Sequence, residues 1–568
     1  MEKEKEFNDD YSTKKALSDY ISTNLDQLKE ARAPYETEWL EACQLFKHRL
    51  TYSTGANSHI KSVEAVPLSG TFHVECLDTT IAGFASQLLS PAIRWFRLHA
   101  MNKSYAIDDV VPYSKDWTEQ VENIMAHLYD NSPSRFYSNT LLALQDSFVM
   151  GNSYEAVIDD VANKQVVFDC YNPWECYVRH DSNMIVNTFY REFTLTAVQA
   201  KQKWGDAIPE YVQEQITRGA GREFITFVNA ICPSDEIVDE YGEKIKTTSK
   251  PYASLYYCNA GKEAEVFYIS GYDTFPIANH RWKIEGNNDY GTSPILKHIE
   301  TFKKYLKDEK TQSVQAQKLA DPQIVAPSSL VGKISNRPGA KLFYNSATEG
   351  KPEYLQMRTD LSATQSIIEQ DKQSIMRLMY TDLFKVLMMQ DRERTAYEVQ
   401  QLKGEGMALL SGAVGNIQVE KLVPVVKRTF LILKKSGVLP IMPKELKVAY
   451  EEGRITIDLD GPLAQTMKKY TKVNGLVNGI QGLQAIMQLS PTSLVNIDMD
   501  GYARQLGSAL GIPENLIREK HEVDKIHAEE AKQLQKQQAL QQQQQSADAM
   551  NKMGVTAEDL VQGQGQGA

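Results

Sequence analysis

The sequence predicts an α+β protein, mainly helical, built from several folded units. Three observations lead there. Its 568 residues exceed what one hydrophobic core serves, and at about 150 residues per domain three or four units are expected. Runs of helical periodicity flank a strand-rich stretch between residues 154 and 284. After it, Ser293-Pro294 places a serine N-cap before a proline at the first helical position, which opens a long polar helix.

The elements follow in order. Residues 14–49 carry Leu17, Tyr20, Ile21, Leu25 and Leu28 at helical spacing. A second apolar helix covers 78–90 and stops at Pro91, after which Trp95 and Phe96 are expected to plug a core. Helices at 115–130 and 134–150 come next, the latter ended by Gly151-Asn152. The pattern then changes. YEAVIDD, KQVVFDCY, ECYVRH and MIVNTFYREF, within 154–193, are separated by Ala162-Asn163, Asn172-Pro173 and Asp181-Ser182-Asn183, which predicts a meander. A short helix at 196–204 closes on Gly205, and strands resume at 223–233 and 251–284.

The Ser293 helix runs to about 319, before Asp321-Pro322, a length of roughly 40 Å. Ile295, Ile299, Phe302 and Leu306 make one apolar stripe, and Lys303, Lys307 and Lys310 a basic one. So thin an apolar stripe suits a helix packed beside copies of itself. Prolines punctuate 322–360, which reads as loop and strand, and a second helix spans 362–389. Thr395-Ala396-Tyr397-Glu398 is a capping box. The helix it opens runs towards 436, is weakened by Gly404, Gly406, Gly412 and Gly415, and is kinked or divided by Pro424. A short strand at 455–460 precedes helices at 463–488, 492–508 and 513–531, then KQLQKQQALQQQQQ and a glycine-rich end.

Composition narrows function. A net charge of −11 argues against a protein that grips DNA through a basic footprint. It is compatible with a wall that surrounds DNA without holding it, and equally with a charge that only aids solubility. Six cysteines, none in a Cys-x-x-Cys pair, read as reduced, mostly buried thiols. The charged start MEKEKEFNDD has no apolar signal region, and 81–96 is too short and too polar to span a bilayer.

No catalytic, cofactor or metal site emerges. Glu263, Ile334 and Pro352 follow the Gly-Lys pairs at 261–262, 332–333 and 350–351, where a phosphate loop needs Ser or Thr. Asn496-Ile-Asp498-Met-Asp500-Gly501 starts like a calcium loop, but position twelve is Gly507 instead of glutamate, so a turn is the better reading. The basic groups that remain are Lys303/Lys307/Lys310, Arg392/Arg394, and Lys427/Arg428/Lys434/Lys435. Each also reads as a solvated or intersubunit face.

Three stretches carry a family resemblance: FPIANHRWKIEGNNDYGTSPI at 275–295, LSPAIRWFRL at 89–98, and the run from RTAYEVQQ to KKSGVLP at 394–440. Together they resemble the head-to-tail connecting (portal) proteins of short-tailed, T7-like bacteriophages, over roughly residues 20–510. The resemblance implies a ring-forming portal architecture with an α/β wing, a helical stem, a small α/β clip and a helical crown or barrel. On that pattern the wing spans 1–292, the stem helices 293–320 and 362–388, and the clip 321–361. A tunnel loop (about 386–395), a kinked helix and a wing return would fill 389–460, with crown or barrel helices at 461–545 and a flexible tail at 546–568. It implies a homo-oligomer, expected as a dodecamer, at one capsid vertex of the virion, made in the host cytoplasm and not inserted in a membrane. Double-stranded DNA would pass through its channel. Its partners would be the major capsid and scaffolding proteins, the terminase large subunit, a tail adaptor or tail tube protein, and internal core proteins. Channel candidates on this reading are Arg392, Arg394, Lys385, Lys303, Lys307 and Lys310. The alternatives are another structural head-completion or internal virion protein and, more distantly, a packaging ATPase or nuclease.

Overall fold

The computed structural model describes residues 11–47, 51–53, 60–62, 70–91, 94–100, 114–160, 165–239, 241–258, 265–326, 328, 353–354, 361–388, 410, 412–451, 455–459, 461, 479, 501–502, 532–533, 536 and 544. The chain divides into two compact units, Met1–Met467 and Lys468–Ala568. The account below concerns the first. The predicted tunnel loop beyond Met388, the 395–398 capping box and the tail fall outside the described residues, as do nearly all of the clip and of the crown helices.

The first unit is mixed helix and sheet. A 36-residue helix, Tyr11–Phe46, opens it. Its first half lays Leu17, Ile21, Leu25 and Leu28 on a five-stranded antiparallel sheet. The strand order of that sheet is Glu265–Tyr272, Tyr252–Cys258, Phe224–Pro233, Val186–Thr196, Cys176–His180. Alternation along Phe224–Pro233 serves two cores. Ile225 and Phe227 face the short helices around Trp204, whereas Val228, Ala230 and Cys232 face the long helix. Ala197–Trp204 starts at a Thr196/Gln199 capping box and ends at Gly205, whose φ is +62°.

The predicted meander does not form as one sheet. Asn152–Asp160 and Gln165–Tyr171 instead join Ile277–Arg281 in a separate three-stranded antiparallel sheet. The cause lies at Pro173–Glu175, a 3-10 turn where the Asn172 side chain accepts from Trp174 N at 3.2 Å. The buried Arg32 fixes that turn. It donates to the carbonyls of Trp174 (3.0 Å) and Cys176 (2.9 Å), and its guanidinium lies 3.8 Å from the Tyr177 ring centroid. The chain therefore leaves one sheet and enters the other.

The main core lies between the three-stranded sheet and the helices. Trp95 and Phe96 do plug it, Trp95 stacking on Phe136 at 5.7 Å. Phe96–Ala100 is a strand paired with Ile455–Leu459, joining distant parts of the chain. Among the described residues all six cysteines are free thiols, five of them buried and Cys170 half-buried. Burial pushes Cys43 and Cys232 up to about 12, which keeps them inert thiols.

Ser293 caps as expected, its hydroxyl accepting from Leu296 N at 3.2 Å. The helix behind it breaks at His298 and resumes as Ile299–Ala320. The second helix is also broken, into Leu361–Leu378 and Thr381–Met388. The returning helix meets Pro424 with a π-turn, Ile417–Leu422, followed by Val423–Lys435. A proline ring clashes with the carbonyl four residues back in an α-helix, and the wider π-turn relieves that clash. Gly437, at φ +68°, ends the helix, with Val438 N bonded to Leu433 O at 3.2 Å.

Candidate functional site

Ile299–Ala320 and Leu361–Leu378 pack as an antiparallel hairpin. Lys304 pairs with Asp371 at 2.5 Å, Lys372 with Glu309 at 3.7 Å, and the Thr364 hydroxyl donates to Gln315 at 3.1 Å. From Lys304–Asp371 to Gln315–Thr364 residue numbers rise on one helix and fall on the other. Past the end of the hairpin, Ile324–Val325 pairs antiparallel with Glu353–Tyr354.

The apolar stripe of the first helix is not free to meet copies, as the sequence suggested. Ile295, Phe302 and Leu306 are buried in the chain's own core, with Phe302 5.1 Å from Phe46. The exposed apolar residues lie further out, at Val314, Leu319 and Ile367, 39 to 46% exposed. Among the described residues, the outer half of the hairpin leaves these apolar groups exposed.

The basic candidates part company. Lys303 bridges Glu300 (2.9 Å) and Glu41 (3.0 Å), and these hydrogen bonds raise its pKa. Lys307 and Lys310 are exposed and, among the described residues, meet no carboxylate. Lys385, on Thr381–Met388, is exposed with its Nζ 3.3 Å from the Met376 sulfur. Arg392 and Arg394 lie outside the described residues. In the later basic group only Lys427 is exposed with no acidic or aromatic partner among the described residues. Arg428 is buried and donates to the carbonyls of Val157 and Thr274, both at 2.7 Å. Lys435 pairs with Asp273 at 2.7 Å, and Lys434 lies 3.2 Å from the Tyr450 ring centroid. Arg428 and Lys435 therefore anchor the helix to the sheet side of the fold, and Lys434 holds it to the following helix, Lys444–Glu451.

Sequence reasoning missed the strongest charge cluster, at the π-turn. Glu420 accepts from Arg281 three times, from its backbone N (2.8 Å), Nε (3.0 Å) and Nη2 (2.5 Å). Its neighbour Lys421 pairs with Glu155, and both side chains are at most 1% exposed. Thr140 donates to the same carboxylate at 3.0 Å. The two ion pairs run in opposite senses, so the turn is clamped with no net charge added to the interior. His280 sits beside them, wholly buried. Neither ring nitrogen has a hydrogen-bond partner among the described residues. Burial, then the Lys421 and Arg281 charges, push its pKa down to about 3. One signal was present in the sequence: Lys421 and Arg428 continue the spacing of Val414, Ile417 and Val425, so two cations stand where apolar residues belong.

Among the described residues no group of His, Cys, Asp and Glu is placed to hold a metal ion, and no helix is long and apolar enough to cross a membrane. Comparison with known proteins decides the class. A protein-family model described as "Bacteriophage head to tail connecting protein" matches residues 18–517. The chain belongs to that family. Two relatives agree with the connector assignment. One, named "Portal protein", from Salmonella phage epsilon15, is 25% identical over 546 residues, 94% of each chain. The other, named "Probable portal protein", from Bordetella phage BPP-1, is 26% identical over 492 residues, 84% of each. Head-to-tail connectors are structural proteins, so the search for catalytic residues ends here and the exposed basic positions become questions of contact.

Proposed function

We propose that this connector assembles as a ring, a dodecamer, at one vertex of the capsid and forms the channel through which double-stranded DNA is packaged and ejected. The observation that carries the reading is the antiparallel hairpin. Its base is packed into the chain's own core, while its outer half leaves Val314, Leu319, Ile367, Lys307 and Lys310 without partners in the described residues. A hairpin of this kind gains packing from neighbouring copies, and symmetry turns each lysine into a ring of charge. Duplex DNA carries about one charge per 1.7 Å. A continuous basic lining would hold it, whereas an acidic protein with isolated basic rings lets it slide. Lys303 is the weakest channel candidate, because two glutamates already neutralise it.

On this reading 293–320 and 362–388 are the stem, 321–361 the clip that docks the terminase and later the tail adaptor, and 389–460 includes the tunnel loop with Arg392 and Arg394. The wing at 1–292 and the crown at 461–545 meet the capsid, scaffolding and internal core proteins, and 546–568 is dispensable for assembly. Particles carrying Arg392→Ala and Arg394→Ala test the channel assignment: lowered retention of full-length genomes is expected, and normal packaging and retention would remove these arginines from it. The alternative, a different head-completion protein, predicts no axial hole in the purified assembly.

A further inference from the structure

Nothing in the sequence between residues 361 and 388 asks for a helix break: the stretch has no glycine and no proline. Yet the helix stops at Leu378 and restarts at Thr381. The break passes through Tyr380, whose φ is +60°, the left-handed region that a bulky L-residue avoids. Local preference therefore opposes the observed conformation, and contacts from elsewhere hold it.

Those contacts come from one helix, Phe72–Leu88. The break leaves the Met379 carbonyl without its helical donor, and the buried Thr80 hydroxyl donates to it at 2.8 Å. The Thr381 hydroxyl lies 3.0 Å from that of Thr80 and 3.4 Å from the Cys76 carbonyl. One turn on, Phe384 drops into a notch at Gly83, where a Cβ would lie 2.4 Å from the ring. Its ring meets Phe84 at 5.0 Å, and Phe84 meets Trp282 at 5.2 Å. A hydroxyl latch and a shape-matched notch thus secure Thr381–Met388 on its neighbour.

We infer that Tyr380 is a hinge and Thr80 its latch. With the latch closed the helix is broken and Thr381–Met388 covers Cys76. With it open, Tyr380 passes to the right-handed region, the two helices join into the single one that the sequence favours, and Thr381–Met388 lifts off the notch. Lys385 travels with it. The device stands whether or not Lys385 meets DNA.

Thiol labelling of the assembled full-length protein, mapped to individual cysteines, tests this. Cys76 is buried under the moving segment, and Cys43, buried elsewhere, reports global unfolding. Thr80→Val removes the hydroxyl at nearly constant volume and is expected to speed Cys76 labelling about fivefold with Cys43 unchanged. Tyr380→Gly removes the left-handed penalty and is expected to slow it by a similar factor, with the double variant near the parent rate. The inference is overturned if Thr80→Val leaves Cys76 unchanged, if it speeds Cys43 equally, or if Tyr380→Gly speeds Cys76.

Discussion

Glu155 and Lys421 meet inside the protein with at most 1% of either side chain exposed, whereas Lys303 and Glu300, on the first hairpin helix, are 39% and 82% exposed. The first pair belongs to the sheet side of the fold, the second to the hairpin. Buried ions are costly to strand, so the inner pairs fix where the returning helix sits and in which rotation. Exposed ions are screened by water and salt and contribute little, so the hairpin charges leave its surface available to neighbours. One chain thus uses charge as an architectural pin in one region and as a solvated coat in the other.

The largest effect expected from this contrast is at the π-turn. Lys421→Met strands the Glu155 carboxylate and should lower stability by about 3–5 kcal/mol in denaturant unfolding. Adding Glu155→Leu should recover most of that loss, because the pair is needed chiefly to neutralise itself. A single variant as stable as the parent would show that the clamp is not buried in solution.

Next is the notch. Gly83→Leu forces the Phe384 ring aside and should cost about 1–3 kcal/mol, partly restored by Phe384→Leu. A Gly83→Leu protein with an unshifted melting curve would contradict the close approach.

His280 gives a pH dependence. Its folded pKa of about 3 lies below the ordinary 6.5. Between those values the unfolded chain binds the proton and the folded chain does not. Stability is therefore complete above pH 6.5 and is lost as pH falls, with a slope of at most about 1.4 kcal/mol per pH unit from this group. His280→Leu should flatten the slope between pH 5 and 6.5 while leaving stability near neutrality equal or higher. An unchanged slope in that variant would show that other groups bind the proton.

The smallest effect is expected on the hairpin. Glu300→Ala, which removes one exposed partner of Lys303, should change stability by about 0–1 kcal/mol and lose even that in high salt. A loss comparable to that of Lys421→Met would erase the distinction between the two regions.

Much of the fold was legible because local rules and packing agreed. The Ser293 cap, the Thr196 helix and the strands at 152–160 and 224–233 follow from capping and alternation that burial then reinforced. What failed was set by distant contacts. The meander reading could not see Arg32 reaching across to turn the chain at Pro173. The continuous second helix could not anticipate a latch supplied by Thr80, some 300 residues away in sequence. Of the candidate site, the hairpin lysines were legible as a stripe, but that Lys303 is neutralised by Glu41 depends on tertiary placement. The Lys421–Glu155 pair was hidden for the opposite reason: a lysine on a helix reads as solvated until its partner is located.

The central claim is that the hairpin helices stand among copies of themselves around a hollow axis. Imaging of the purified full-length protein by negative stain, with sedimentation at micromolar concentration, tests it most directly. Annular particles with an axial hole and a mass many times that of one chain are predicted; a stable, compact single chain at every salt concentration would contradict it.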